Sequence, residues 1–200
     1  MTSLTRVSAQ QWDIGLDIYS SYVWRGLKFG SGPALQPVIE FSNSNFTLGA
    51  WGSYNASTNE AAETDLYAGY EIALSENASL GLTLTDYYYP ESRFFENTSH
   101  YIEPMISLDI GKLSLTGAYM MNNGNGDIYM EATLNAGPVD LTLGGGDGQY
   151  TIEKEFNICN ISISTHKEIK ITDSFYLPVS GSVVLNPSAE RLYVVAGITL

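Results

Sequence analysis

The chain has 200 residues, a length that fits one domain. Its 22 acidic residues against nine Lys and Arg give a formal charge of −13, which argues against nucleic-acid binding and against a polybasic membrane-surface protein, because both depend on clustered cations. No stretch offers the ~20 consecutive apolar residues of a membrane-spanning helix.

The first nine residues stand apart. Val7-Ser8-Ala9 before Gln10 resembles the end of a secretory leader, with small residues at the cleavage position. Residues 1–9 are therefore read as a signal-peptide remnant or tag, and residues 10–200 as the domain.

From residue 11 onward, segments of about ten residues are apolar at every second position. Trp12, Ile14, Leu16 and Ile18 alternate with Asp13, Gly15, Asp17 and Tyr19. Leu66, Ala68, Tyr70, Ile72 and Leu74 alternate with Asp65, Tyr67, Gly69 and Glu71. Ile102, Pro104, Ile106, Leu108 and Ile110 alternate with Glu103, Met105, Ser107 and Asp109. The last segment sets Leu192, Val194, Ala196, Ile198 and Leu200 against Arg191, Tyr193, Val195, Gly197 and Thr199. Period two means a strand with two unlike faces. The apolar face carries no charge at its middle, where an Arg or Lys facing lipid would cost about 2–4 kcal/mol.

This pattern predicts twelve strands, over 11–23, 34–42, 46–54, 63–74, 79–89, 99–110, 112–121, 127–136, 139–146, 157–166, 174–185 and 190–200. The connections alternate short and long. Short turns fall at Ser42–Asn45, Ser75–Asn77, Gly111, Gly137-Pro138 and near Thr172-Asp173; the long connections include 24–33, 90–98 and 147–156. An even strand count with alternating loop lengths is the signature of an all-β, antiparallel up-and-down transmembrane barrel with both termini periplasmic. Pro37, Pro104 and Pro178 fall inside predicted strands and call for bulges or strand ends. Lys167–Ile171 either extends the tenth strand or forms a longer turn. The single cysteine, Cys159, shares the phase of Ile161 and Ile163, which makes it a small buried or lipid-facing residue.

The stretches Ser20-Ser21-Tyr22-Val23-Trp24-Arg25-Gly26, Pro33-Ala34-Leu35-Gln36-Pro37, Leu48–Ser53, Thr85–Pro90 and Lys167–Leu177 followed by Asn186-Pro187 resemble the TorF-type, Gcw-like family of bacterial conserved hypothetical outer-membrane β-barrel proteins. The resemblance implies an outer-membrane barrel. It brings no activity, substrate or catalytic residue.

The second face of the strands is acidic, with Asp13, Asp17, Glu40, Asp65, Glu71, Glu103, Asp109, Glu131 and Asp140, and few cations share its phase, chiefly Arg25 and Arg191. Two readings stay open. In one, these side chains line a narrow, cation-preferring pore for small solutes, since carboxylate rings attract cations. In the other, the acids pair with Arg25, Arg191 and tyrosine hydroxyls, and a closed structural or interaction barrel docks a partner through its extracellular loops. Trp24, Tyr87–Tyr89, Phe94-Phe95 and Tyr150 are placed at the outer rim, as interfacial girdle or docking surface. An outer-membrane enzyme ranks below both readings: no Ser is tied to His100 or His166, no Asp–His pairing appears, and no catalytic residue is assigned. No metal or cofactor is assigned either; Asn122–Asp127 lacks the spacing of a calcium loop, and Gly144–Gly148 lacks the Lys and helix of a phosphate cradle. The expected partners are the lipid bilayer and lipopolysaccharide of the bacterial outer membrane, with a protein partner or second copy at the wall or loops, and no nucleic acid.

Overall fold

A strand with one oily and one polar face needs neighbours on both edges, and a row of such strands escapes bare edges by closing into a ring. In the computed structural model, which describes residues 10–58, 60–90, 93–122 and 125–200, the ring closes. Its members are β1 (Gln11–Tyr19), β4 (Ala34–Asn43), β5 (Phe46–Asn55), β6 (Glu60–Ser75), β7 (Ala78–Tyr88), β8 (His100–Ile110), β9 (Leu113–Asn122), β10 (Asn125–Asn135), β11 (Asp140–Gly146), β12 (Asn157–Lys170), β13 (Tyr176–Asn186) and β14 (Arg191–Thr199). Each pairs antiparallel with its neighbours in sequence, and β1 closes the barrel between β14 and β4. The all-β, twelve-stranded antiparallel barrel is the one the periodicity predicts. The leader reading of residues 1–9 lies outside the described residues, as does part of the connection after β9.

The first predicted strand is two elements. β1 stops at Tyr19, and the chain then turns away from the barrel wall into a small hairpin, β2 (Tyr22–Trp24) and β3 (Leu27–Phe29), a separate two-stranded sheet. Its tip is the two-residue turn Arg25-Gly26, with φ of +50° and +80°. Positive φ at both central residues is what a tight hairpin with right-handed twist requires; glycine adopts it freely and arginine does not.

The prolines produce no bulge. The β4–β5 ladder skips Gln36 and Pro37 and resumes in the same register, and the β8–β9 ladder does the same across Glu103 and Pro104. Pro178 pairs with Glu168 beyond the last β13–β14 pair, at Val179, so its missing N–H faces an open edge. β12 continues through Lys167 to Lys170, so this segment extends the strand. Register shifts occur at Gly144/Gly145, Ser53/Tyr54 and Ala73/Ser75. The first of these moves Cys159: Gly144 pairs with Asn160 and Gly145 with Ile158, so Cys159 is the extra residue of a bulge. It leaves the phase of Ile161 and packs fully buried against Ala118, Tyr129 and Tyr150.

The two faces are inverted relative to a water-soluble barrel. Trp12, Ile14, Leu48, Leu66, Leu84, Ile106, Met130, Leu143, Ile163 and Val194 are all exposed on the outside. Glu63, Asp65, Glu103, Asn160 and Asn186 are buried inside. Because Cys159 is sealed behind the inward hairpin and the loop bearing Tyr150, a maleimide reagent is expected to leave it unmodified in the folded chain and to label it fully in denaturant; labelling of folded protein at the unfolded rate would contradict this packing.

Candidate functional site

The interior divides into two levels, and the hairpin tip decides where. Gly26 abuts the β12 bulge so closely that a Cβ there would lie 1.9 Å from the Cys159 carbonyl oxygen. On its other side the Asn186 amide donates to the Gly26 carbonyl at 3.0 Å. Tyr22 packs on Trp51 of β5, and Trp24 packs on Tyr87 of β7 and on Tyr150. The hairpin thus reaches from β5 and β7 to β12 and β13, across the barrel interior.

Arg25 locks this bridge. Its guanidinium donates from Nη1 to Glu103 Oε2 at 2.5 Å and from Nη2 to Glu103 Oε1 at 3.0 Å, a two-point ion pair. Nη1 also donates to the Tyr150 hydroxyl at 2.8 Å. The flat faces are covered by Trp24 and Tyr129, whose ring centroids lie 4.3 and 4.5 Å from the guanidinium carbon. Tyr87 donates its hydroxyl to the same carboxylate at 3.1 Å. Glu103 is 1% exposed. Trp24, Tyr87 and Tyr150, expected at the rim, are therefore interior residues: Tyr150 sits in the loop after β11, which turns inward and buries it completely. Phe94 and Phe95 stay exposed, as expected.

At the short-turn end the interior is an acidic vestibule. Asp13 lies opposite Glu40, and Asp17 accepts a hydrogen bond from Thr199 at 2.6 Å. Glu40 accepts from Tyr67 at 2.9 Å, Glu131 from Tyr129 and from Asn160 at 3.0 Å, Asp109 from Ser114, and Asp140 from Asn135 at 2.8 Å. Glu71 and Asp109 line a cavity of about 390 Å³ with Ser75 and Ser79. These donors are neutral, so they orient the carboxylates without cancelling their charge. Among the described residues, Glu103 is the one predicted interior acid with an arginine or lysine partner. Asp65 is buried higher up, beside Glu63, a residue the sequence reading did not single out. Arg191 opens β14 opposite Asn186 at the long-loop end and is exposed there, away from the vestibule acids.

An Asp–His pair absent from the sequence reading does form. His100 Nδ1 lies 2.9 Å from Asp86, across the β7–β8 register, and Nε2 lies 2.5 Å from the Phe94 carbonyl oxygen. Both residues stand on the outer face where the apolar series Leu82, Leu84 gives way to Asp86 and Tyr88, above the apolar belt. An imidazole with acceptors at both nitrogens serves as a double donor, and it has no free lone pair for a nucleophile. The neighbouring Ser99 hydroxyl is buried and bonds neither nitrogen. The pair clamps the loop carrying Phe94 to the rim. The Phe94 carbonyl first, and Asp86 second, raise the His100 pKa.

The family model for Gcw_chp, described as a bacterial protein of unknown function, matches residues 5–160, and the chain belongs to that family. No curated protein matches the chain.

Two expectations follow from this geometry. Arg25→Ala leaves a buried carboxylate uncompensated and is expected to cost about 3–5 kcal/mol in a denaturant titration, with part recovered in the Arg25→Ala, Glu103→Gln double variant; additive losses would show that the pair is not coupled. For His100 the folded pKa lies above the unfolded value of about 6.5, so the clamp contributes fully below that value and is lost as pH rises through the folded pKa. Trypsin cleavage after exposed Arg93, normalised to a flexible peptide, should therefore accelerate as pH rises above about 6.5, and His100→Gln should flatten the profile at the fast limit.

Proposed function

We propose that this member of the Gcw_chp family is an integral outer-membrane barrel acting as a narrow, cation-preferring pore that its own first long loop holds shut at rest. Three features support membrane embedding. Exposed Leu, Ile, Val and aromatic side chains surround the barrel, whereas soluble proteins rarely expose apolar patches beyond a few hundred Å². The strand count is even, and the three longest connections, 20–33, 89–99 and 147–156, all lie at one end of the barrel, although the predicted long connections after β9 and β13 are shorter than the turn after β12. Trp12 and Phe41 pack together at the short-turn end, ring centroids 5.1 Å apart and tilted, in the manner of an interfacial girdle. The short-turn end then faces the periplasm and opens on the acidic vestibule. The resemblance to TorF-type barrels favours the same compartment, and lipid and lipopolysaccharide are the surroundings this placement implies.

The observation that carries the closed state is the bidentate Arg25–Glu103 pair, which ties the hairpin across the interior. The vestibule beneath it carries fixed negative charge oriented by neutral donors, so any conducting path through it prefers cations. A second reading draws on one feature: Phe95 is 96% exposed on the loop that His100 clamps. That makes the long-loop end a place where a partner could dock, with the lumen permanently closed.

Planar-bilayer recording separates the two. The wild-type protein is expected to be silent or to open rarely. Arg25→Ala is expected to conduct with a reversal potential that favours cations. A wild type that is open without perturbation overturns the closed state, an anion-preferring reversal potential overturns the vestibule's role, and silence in Arg25→Ala and in a variant lacking residues 22–29 favours the docking barrel.

A further inference from the structure

The layer that holds Arg25 is short of positive charge. Three carboxylates lie in it, Glu63 and Asp65 on β6 and Glu103 on β8, exposed by 2%, 7% and 1%. Among the described residues one guanidinium faces them, and both of its terminal nitrogens are committed to Glu103. Glu63 Oε2 and Asp65 Oδ1 are buried and accept no hydrogen bond. Glu63 and Asp65 are two residues apart on one face of a strand, about 7 Å between Cα atoms, so their carboxylates can converge on a single point between them. An isolated buried carboxylate costs so much free energy that it is neutralised by a proton or a counter-ion.

The surroundings indicate which. Ser53, directly across the ladder from Glu63, is buried and carries a hydroxyl. Gln36 donates its amide to that hydroxyl at 3.5 Å, which leaves the Gln36 carbonyl oxygen uncommitted to Ser53. The Tyr22 hydroxyl of the hairpin is set against Glu63. A cavity of about 290 Å³, lined by Tyr19, Ser21, Tyr22, Gln36 and Ser182, shares Tyr22 and Gln36 with this cluster. The donors are all oxygens, of carboxylate, hydroxyl and amide type. Such a set selects hard cations. Strand-borne oxygens of mixed type suit calcium, which accepts irregular shells of six to eight oxygens, better than magnesium, which demands an octahedron and retains water.

We propose that Glu63 and Asp65 hold a calcium-class divalent cation between β6 and the inward hairpin. Its two charges balance the two carboxylates that Arg25 does not reach. Through the Tyr22 hydroxyl the ion also helps seat the hairpin.

Terbium luminescence tests this, because Tyr22 and Trp51, whose rings lie 5.5 Å apart beside the site, can sensitise a bound ion. Full-length protein folded in detergent micelles and stripped with chelator is titrated with Tb³⁺ and then with Ca²⁺. The expected result is a saturable sensitised emission that Ca²⁺ displaces. In Glu63→Gln, Asp65→Asn the affinity should fall by about tenfold or more, while Asp173→Asn at an exposed turn leaves it unchanged. No sensitised emission in the wild type, or emission retained in the double variant, overturns the site. If the double variant does not fold, the wild type alone decides: a urea midpoint higher in Ca²⁺ than in chelator supports the site. An identical midpoint assigns the pair's neutralisation to protons and overturns it.

Discussion

The interior of this barrel depends on one ion pair. Arg25 sits at the tip of a hairpin that leaves the barrel wall, in a backbone conformation that costs a non-glycine residue stability. Two-point donation to Glu103 and stacking between Trp24 and Tyr129 hold it there. Glu103 in turn is buried in a place where no solvent could stabilise its charge. Neither member is tenable alone, and this mutual need fixes the hairpin across the lumen. Gly26 makes the fit possible, since any side chain at that position would collide with the Cys159 carbonyl.

The same pair divides the charge of the interior. On the long-loop side the acids lie among tyrosines and are almost fully desolvated. On the short-turn side their partners are neutral donors from Ser, Thr, Asn and Tyr, and Glu71 and Asp109 border cavity space. The first environment requires exact charge balance, so it stores structural constraint. The second tolerates imbalance because water screens it, so it is the part of the interior suited to attracting ions. Apart from Glu63 and Asp65, the surplus charge of this strongly acidic chain lies in the wet region and in the loops.

Particular residues mark the limit of what periodicity reveals. Ten of the twelve wall strands emerge with boundaries within three residues of those observed, because every second side chain must face the apolar exterior and that demand is local. The segment 11–23 fails at its end: Tyr22 and Val23 continue the alternation but belong to β2, since a hairpin inside the barrel obeys the same period as the wall. Its turn was concealed by Arg25, an unusual occupant of a position usually held by Asn, Asp or Gly. A Gly-Leu pair following Trp24-Arg25 is the trace that could have suggested it. Tyr87 and Tyr150 read as rim aromatics because their burial comes from Trp24, more than sixty residues away in each case. Cys159 changed face through a bulge set by its partner strand, where Gly144 and Gly145 leave room. His100 and Asp86 meet only through the β7–β8 register.

By itself the sequence determined the all-β class, the wall strands and the sign of the interior, because hydrophobic period and net charge are properties of each segment taken alone. The tertiary structure decided which acids are balanced and which remain free, and whether the lumen is crossed. Those outcomes depend on side chains from β2, β6, β8, β10 and β12 meeting at one level of a closed ring, and the strength of a charge pair is set by the burial that such a meeting creates.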